Sequence, residues 1–226
     1  MTEAKYFNAP IQLWADFMSD DRKGLSDVFD YAIYAHTLNL TEGTEAQKFK
    51  AACKFFYVTS GDDSKSIKNG KKLLRDADPK APKVGINTTV WFDFYKNPKT
   101  EYDKVCLLAF LAIKSIVQNK PYTKLDNRFW LSRMAGNANS CDLKTLPEWI
   151  QKYSNEYQTK KLKIELRNNW GLVTYSRYTR GFYVSFKLSL EDLVFEAEKR
   201  RKVTKDKQFK KLENEAVQKA LQRLQA

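Results

Sequence analysis

Glycine and proline are scarce in this 226-residue chain, at 8 and 6. So few turn-formers disfavour a many-stranded architecture and predict a mainly helical protein. The single histidine, His36, and three scattered cysteines, Cys53, Cys106 and Cys141, none of them in a CxxC pair, leave too few ligands for a zinc site and read as free thiols in a reducing compartment. Apolar runs are short. The most apolar, Val105 to Ile113, is closed by Lys114 and is about half of the roughly 20 residues that cross a bilayer, so a soluble chain with no membrane partner is expected. The first residues lack a basic segment followed by an apolar one, and Asp16, Asp20 and Asp21 come soon after, which predicts a cytoplasmic location.

Catalytic signatures are wanting as well. One histidine excludes the two-histidine metal site of rolling-circle nucleases and leaves the tyrosine-recombinase set incomplete despite 12 tyrosines. Gly61 and the Gly70-Lys71-Lys72 run stand eight residues apart where a phosphate-binding P-loop needs four, and Lys72 takes the place of its Ser or Thr. His36 sits on an apolar helical face and reads as a core residue, and Asp62-Asp63 reads as a helix cap. A non-enzymatic chain without cofactor or metal is the expectation.

What the chain has is aromatic mass and positive charge. With 42% hydrophobic and 14% aromatic residues it can bury one sizeable core or two small ones. The net charge of +13 is unevenly placed: residues 144–187 carry 9 basic and 3 acidic side chains, and 199–226 carry 10 and 3. Such a field attracts polyanions, because each Lys or Arg near a phosphate releases condensed counterions. Nucleic acid is the leading partner, with an acidic protein behind it and a homodimer open.

Along the chain, residues 6 to 18 read as an extended arm turning into helix, Ser26 or Asp27 as the cap of a helix through His36, and Thr44 to Tyr57 as a second helix. A basic helix from Lys65 to Ala77 precedes Asp78 to Lys83, where two prolines mark a linker. The expected division is a helical region at 1–83, a domain at 84–198 with its core at 101–188, and a basic tail at 199–226.

From Thr100 the pattern sharpens. Thr100 and Asp103 cap a long helix that must be buried on most sides. A short extended piece at Tyr122 to Leu125 follows, then a helix capped by Asp126 and stopped by Gly136. A helix lies around Leu146 to Tyr153, another from about Thr159 to Asn169 with Leu162, Leu166 and Asn169 buried, and then a hairpin. In the second strand of that hairpin Phe182, Val184, Phe186 and Leu188 face the core while Tyr183, Ser185 and Lys187 face away.

This order resembles the winged-helix DNA-binding family. The segment Tyr122-Thr123-Lys124-Leu125-Asp126 through Gly136 looks like the family's short strand and second helix, and Lys161-Leu162-Lys163-Ile164-Glu165-Leu166-Arg167-Asn168-Asn169-Trp170-Gly171-Leu172-Val173 looks like its recognition helix and the start of its wing. The wider resemblance is to small phage, plasmid and conjugative-element proteins that join a winged helix to a helical partner, replication initiators among them. It implies an α+β, mainly α protein that binds duplex DNA in replication initiation or transcriptional control. The helix at Leu146 to Tyr153 competes for the reading role.

With Leu162 and Leu166 inward, Lys160, Lys163, Arg167 and Asn168 are expected to point outward, flanked by Lys161, to meet phosphates or base edges. Arg177, Tyr178, Thr179 and Arg180 form the expected wing tip. Lys199, Arg200, Arg201 and Lys202 open a tail that reads as a solvated helix, a basic arm or a DNA-contacting extension.

Overall fold

Buried Phe7 and Ala9 alternate with exposed Tyr6 and Asn8 in strand β1 (Tyr6–Pro10), which pairs antiparallel with β2 (Lys83–Asn87), Phe7 opposite Ile86 and Ala9 opposite Val84. The computed structural model describes residues 4–176 and 181–225. The boundary expected between residues 83 and 84 thus falls inside a strand. The prolines before it form a turn rather than a linker: Ala81 N–H donates to the Asp78 carbonyl at 2.9 Å, and Ile11 N–H donates to the Pro82 carbonyl at 2.9 Å. Proline lacks a donor but keeps its acceptor, so the segment is tied down through its carbonyls. One continuous cluster of buried side chains runs from Phe7 to Val184, across the expected boundary.

A 3-10 helix (Ile11–Met18) leads to α1 (Asp21–Thr37). This helix starts earlier than Ser26 or Asp27, because Asp20 accepts from Lys23 N–H at 2.9 Å and caps it, leaving Gly24 in its second turn against the backbone of Phe17. α2 (Glu45–Phe55) opens on a capping box of Thr44 and Gln47, and α3 (Asp63–Asp76) on Asp62, which accepts from Lys65 N–H at 3.0 Å. α3 crosses α1 at Gly70, where a methyl group would stand 2.5 Å from Tyr34 Cβ and 2.6 Å from the Asp30 carbonyl. The segment after β2 becomes α4 (Thr88–Lys96), whose Trp91 stacks on Phe29 at 5.6 Å and donates from Nε1 to the Leu25 carbonyl.

α5 (Glu101–Val117) begins at the Thr100–Asp103 capping box and is buried on nearly every side, Val105 to Ala109 and Leu111 to Ile113 without interruption. β3 (Thr123–Leu125) and α6 (Asn127–Met134) follow, the latter capped by Asp126. Beyond Gly136, whose φ of +85° few other residues tolerate, come a 3-10 turn (Leu143–Thr145), the one-turn α7 (Glu148–Gln151) and α8 (Glu156–Asn169). β4 (Val173–Tyr175), β5 (Phe182–Ser185) and α9 (Leu190–Gln225) complete the described chain. β5 lies between β3 and β4, antiparallel to both. The protein is mainly α with two small antiparallel sheets among the described residues, the class the sequence predicted, and no described helix is long and apolar enough to cross a membrane.

The expected alternation of β5 does not hold. Tyr183 and Ser185 are as buried as Phe182 and Val184, since Leu193 and Ala197 of α9 cover the outer face of the sheet over Tyr183. The Ser185 hydroxyl donates to the Pro121 carbonyl and accepts from Lys187 and Leu188 N–H, ending the strand before Phe186. The basic tail is no separate arm: it continues the helix that begins at Leu190.

A cut after Leu188 therefore removes more than charge. It uncovers Tyr183 and forfeits the burial of Leu193, worth about 1.5–3 kcal/mol. A chain ending after Lys202 keeps that contact together with the Tyr175–Glu198 hydrogen bond of 2.7 Å. Thermal unfolding followed by circular dichroism is expected to give a clearly lower Tm for the first truncation and a nearly unchanged one for the second. Equal values would mean that the start of α9 does not hold the sheet.

Candidate nucleic-acid interface

α8 begins at Glu156, three residues before the start expected from the apolar pattern, because the Asn155 side chain caps it by accepting from Gln158 N–H at 2.8 Å. Thr159, Leu162 and Leu166 are its buried positions. Lys160, Arg167 and Asn168 are exposed, as expected. Lys161 is exposed too, but its ammonium lies 4.6 Å from the centre of the Tyr102 ring.

Lys163 does not point outward. Its Nζ donates to Asn127 Oδ1 at 2.8 Å and lies 3.7 Å from the centre of the Phe182 ring, between α6 and β5. The helical period explains the correction, because position 163 is four residues from Thr159 and three from Leu166, and so falls within the buried stripe. Asn169 departs the other way. It is exposed, with Nδ2 donating to Glu165 Oε1, and the chain folds back after it: Leu172 N–H donates to the Leu166 carbonyl at 3.1 Å and the Leu172 side chain is buried.

Burial pushes the Lys163 ammonium down to about 8 from its ordinary 10.5, with Glu156 offsetting this in part. Between about pH 8 and 10.5 the unfolded chain holds a proton that the folded chain has released, so stability gained through this group rises with pH. Cys53 and Cys106, which burial raises to about 11 and about 12, act oppositely once unfolded thiols ionise near 9. The lysine thus governs the window from pH 8 to 9. In that window the urea midpoint of the wild type is expected to rise with pH, and Lys163→Met is expected to abolish that rise while leaving duplex affinity unchanged. A weakened duplex complex would put Lys163 back at the interface.

The expected wing tip, Arg177, Tyr178, Thr179 and Arg180, lies outside the described residues. Lys199, Arg200 and Lys202 are exposed on α9, whereas Arg201 is held by Glu198, Nη1 to Oε1 at 2.9 Å. β4 packs against both α8 and α9, so the three-stranded sheet carries both basic elements. The competing helix at Leu146 to Tyr153 is reduced to the single turn α7, with Leu146 and Ile150 buried.

One feature went unread in the sequence. A groove of about 1370 Å³ between α1, α3 and α4 is lined by Lys65, Lys68, Lys72 and Arg75 from a single face of α3, with Phe92 and Tyr95 of α4 opposite. Tyr95 stacks on Trp91 at 4.8 Å and remains 46% exposed. In the floor Asn69 Nδ2 donates to Asp27 and Asp30, and burial raises the Asp30 carboxyl. The signal was the i, i+3, i+7 spacing of those cations, opposite Ile67 and Leu74 on the same helix. His36, expected in the core, is only half-buried, its ring stacked at 4.4 Å on Phe55, which is itself exposed. Comparisons with protein-family models, with curated proteins and with solved structures found no match to this chain.

Proposed function

We propose that this protein binds duplex DNA through a winged helix formed by residues 101–188, acting in replication initiation or transcriptional control of a phage or mobile element. The observation that carries the reading is the chain order α5, β3, α6, α8, β4, β5 combined with a β3-β5-β4 antiparallel sheet. In such a unit the third helix enters the major groove and the hairpin flanks it. Here the third helix is α8 once the insertion holding α7 is set aside, and its exposed Lys160, Arg167 and Asn168 offer charge and amide groups to phosphates and base edges. Lys199, Arg200 and Lys202 add a backbone-binding edge. No bond-making step is part of the proposal.

Electrophoretic mobility of short duplexes titrated with the full chain tests it. Retardation that weakens steeply with salt is the expected result. The α1–α3–α4 groove favours a second reading, an acidic protein partner, since it sets apolar rings beside cations. Absence of retardation at about 50 mM salt, where even non-specific complexes persist, would leave that reading in front.

A further inference from the structure

A pocket of about 480 Å³ opens between the proline turn before β2, the turn from α5 to β3, and the end of α6. Its charged lining has one sign: Lys80, Lys83, Lys120, Lys124 and Arg133, with no Asp or Glu. Arg133 is the unusual member. It is 5% exposed, its Nη2 donates to the Ala138 carbonyl at 2.8 Å and its Nη1 to Ser115 Oγ at 3.3 Å, while its Nε has no partner. Among the described residues no carboxylate meets this guanidinium, and burial lowers its pKa. A buried cation without a counter-charge is costly, so a fold that keeps one beside an accessible cavity has room there for an anion.

The rim supplies the complement. Lys80, Lys83, Lys120 and Lys124 are exposed, and none of them forms an ion pair among the described residues. Both turns that carry them are fixed. The first is tied by the Ile11–Pro82 hydrogen bond; the second passes through Gln118 at φ +50°, ψ −124°, a strained conformation for a residue other than glycine. Gln118 itself lines the pocket. Strain of this kind gathers at ligand sites.

We propose that this pocket binds a phosphate group, with Arg133 at its base and the four lysines around its mouth. Five cations outmatch one carboxylate, whereas a phosphate offers up to two negative charges and three or more acceptor oxygens, to which both Arg forks and Lys point charges are suited. A volume of about 480 Å³ also admits whatever carries the phosphate. That carrier is either a free phosphorylated small molecule or a nucleic-acid backbone. None of Lys160, Arg167 and Asn168 lines the pocket, so the inference stands apart from the α8 interface.

The test is calorimetric titration of the full chain in chloride buffer with inorganic phosphate at constant ionic strength, beside the double variant Lys83→Ala/Lys120→Ala. Both substitutions are at exposed sites and leave the core intact; Arg133→Gln is measured in parallel. Saturable single-site binding by the wild type, weakened at least about tenfold in the double variant, is expected, together with a Tm that rises with phosphate by mass action and rises less, at each phosphate concentration, in the double variant. Should the double variant also bind duplex about tenfold more weakly, and phosphate compete with duplex, the natural source is the backbone. Unchanged duplex affinity assigns the pocket to a free phosphorylated compound. Equal phosphate binding by wild type and double variant, or none by either, overturns the proposal, and loss of duplex binding alone does not touch it.

Discussion

Duplex affinity should fall about 500-fold between 50 mM and 200 mM salt. Five of the exposed cations on the two basic elements, Lys160 on α8 and Lys199, Arg200, Lys202 and Lys205 on α9, form no ion pair among the described residues. If each meets one phosphate, the slope of log affinity against log salt is about −4.5, and a fourfold rise in salt multiplies the loss accordingly. Lys163, Lys161 and Arg201 do not count, because Asn127 and Phe182, Tyr102, and Glu198 hold them. Lys160→Ala should weaken all sequences alike and lower the slope by about one. Arg167→Ala should cost about 1–3 kcal/mol on a preferred sequence and much less on random DNA, as loss of a base contact removes discrimination. A uniform effect of Arg167→Ala on every duplex would remove α8 as the reading element.

Trp130→Ala is expected to cost about 3–5 kcal/mol, a large fraction of the roughly 5–15 kcal/mol margin of a folded protein. The ring is wholly buried, lies edge-on to Phe182 at 5.9 Å, and donates from Nε1 to the Ala109 carbonyl at 3.0 Å, so one side chain joins α6, β5 and α5. Trp130→Phe keeps most of the packing and should cost about 1 kcal/mol for the lost hydrogen bond, plus the smaller volume. Trp14 is the control. It is equally buried, but its Nε1 has no partner, so in Trp14→Phe relief of an unsatisfied donor, worth about 1–3 kcal/mol, offsets the lost volume. Urea unfolding of the three variants should rank Trp130→Ala far below Trp130→Phe, with Trp14→Phe close to wild type. A Trp130→Ala midpoint near that of wild type would show that the sheet and α5 are not joined through this ring.

Helix caps and charge placement were legible because they are local. Thr44, Asp62, Thr100 and Asp126 each lie within three residues of the backbone donor they satisfy, so a short stretch of sequence contains the whole interaction. The helical class followed from the same short-range patterns, as did the exposure of Lys160, Arg167 and Asn168 opposite Leu162 and Leu166. Where a second element covers a face, the pattern misled. Tyr183 reads as outward until Leu193 of α9 is laid over it, and Lys163 reads as a DNA contact until α6 and β5 close around it. The proline turn reads as a linker until β2 pairs with β1 from the other end of the region.

By itself, then, the sequence determined that the chain is mainly helical, where most of its helices start, and that its positive charge is concentrated towards residue 226. Tertiary structure alone decided which of those charges face solvent, and it brought Lys80, Lys83, Lys120, Lys124 and Arg133 around one cavity from three separate segments. The physical reason is range. Caps and periodicity act within a turn or two of backbone, whereas burial of a charge, and the desolvation that follows, depends on which distant segment packs against it.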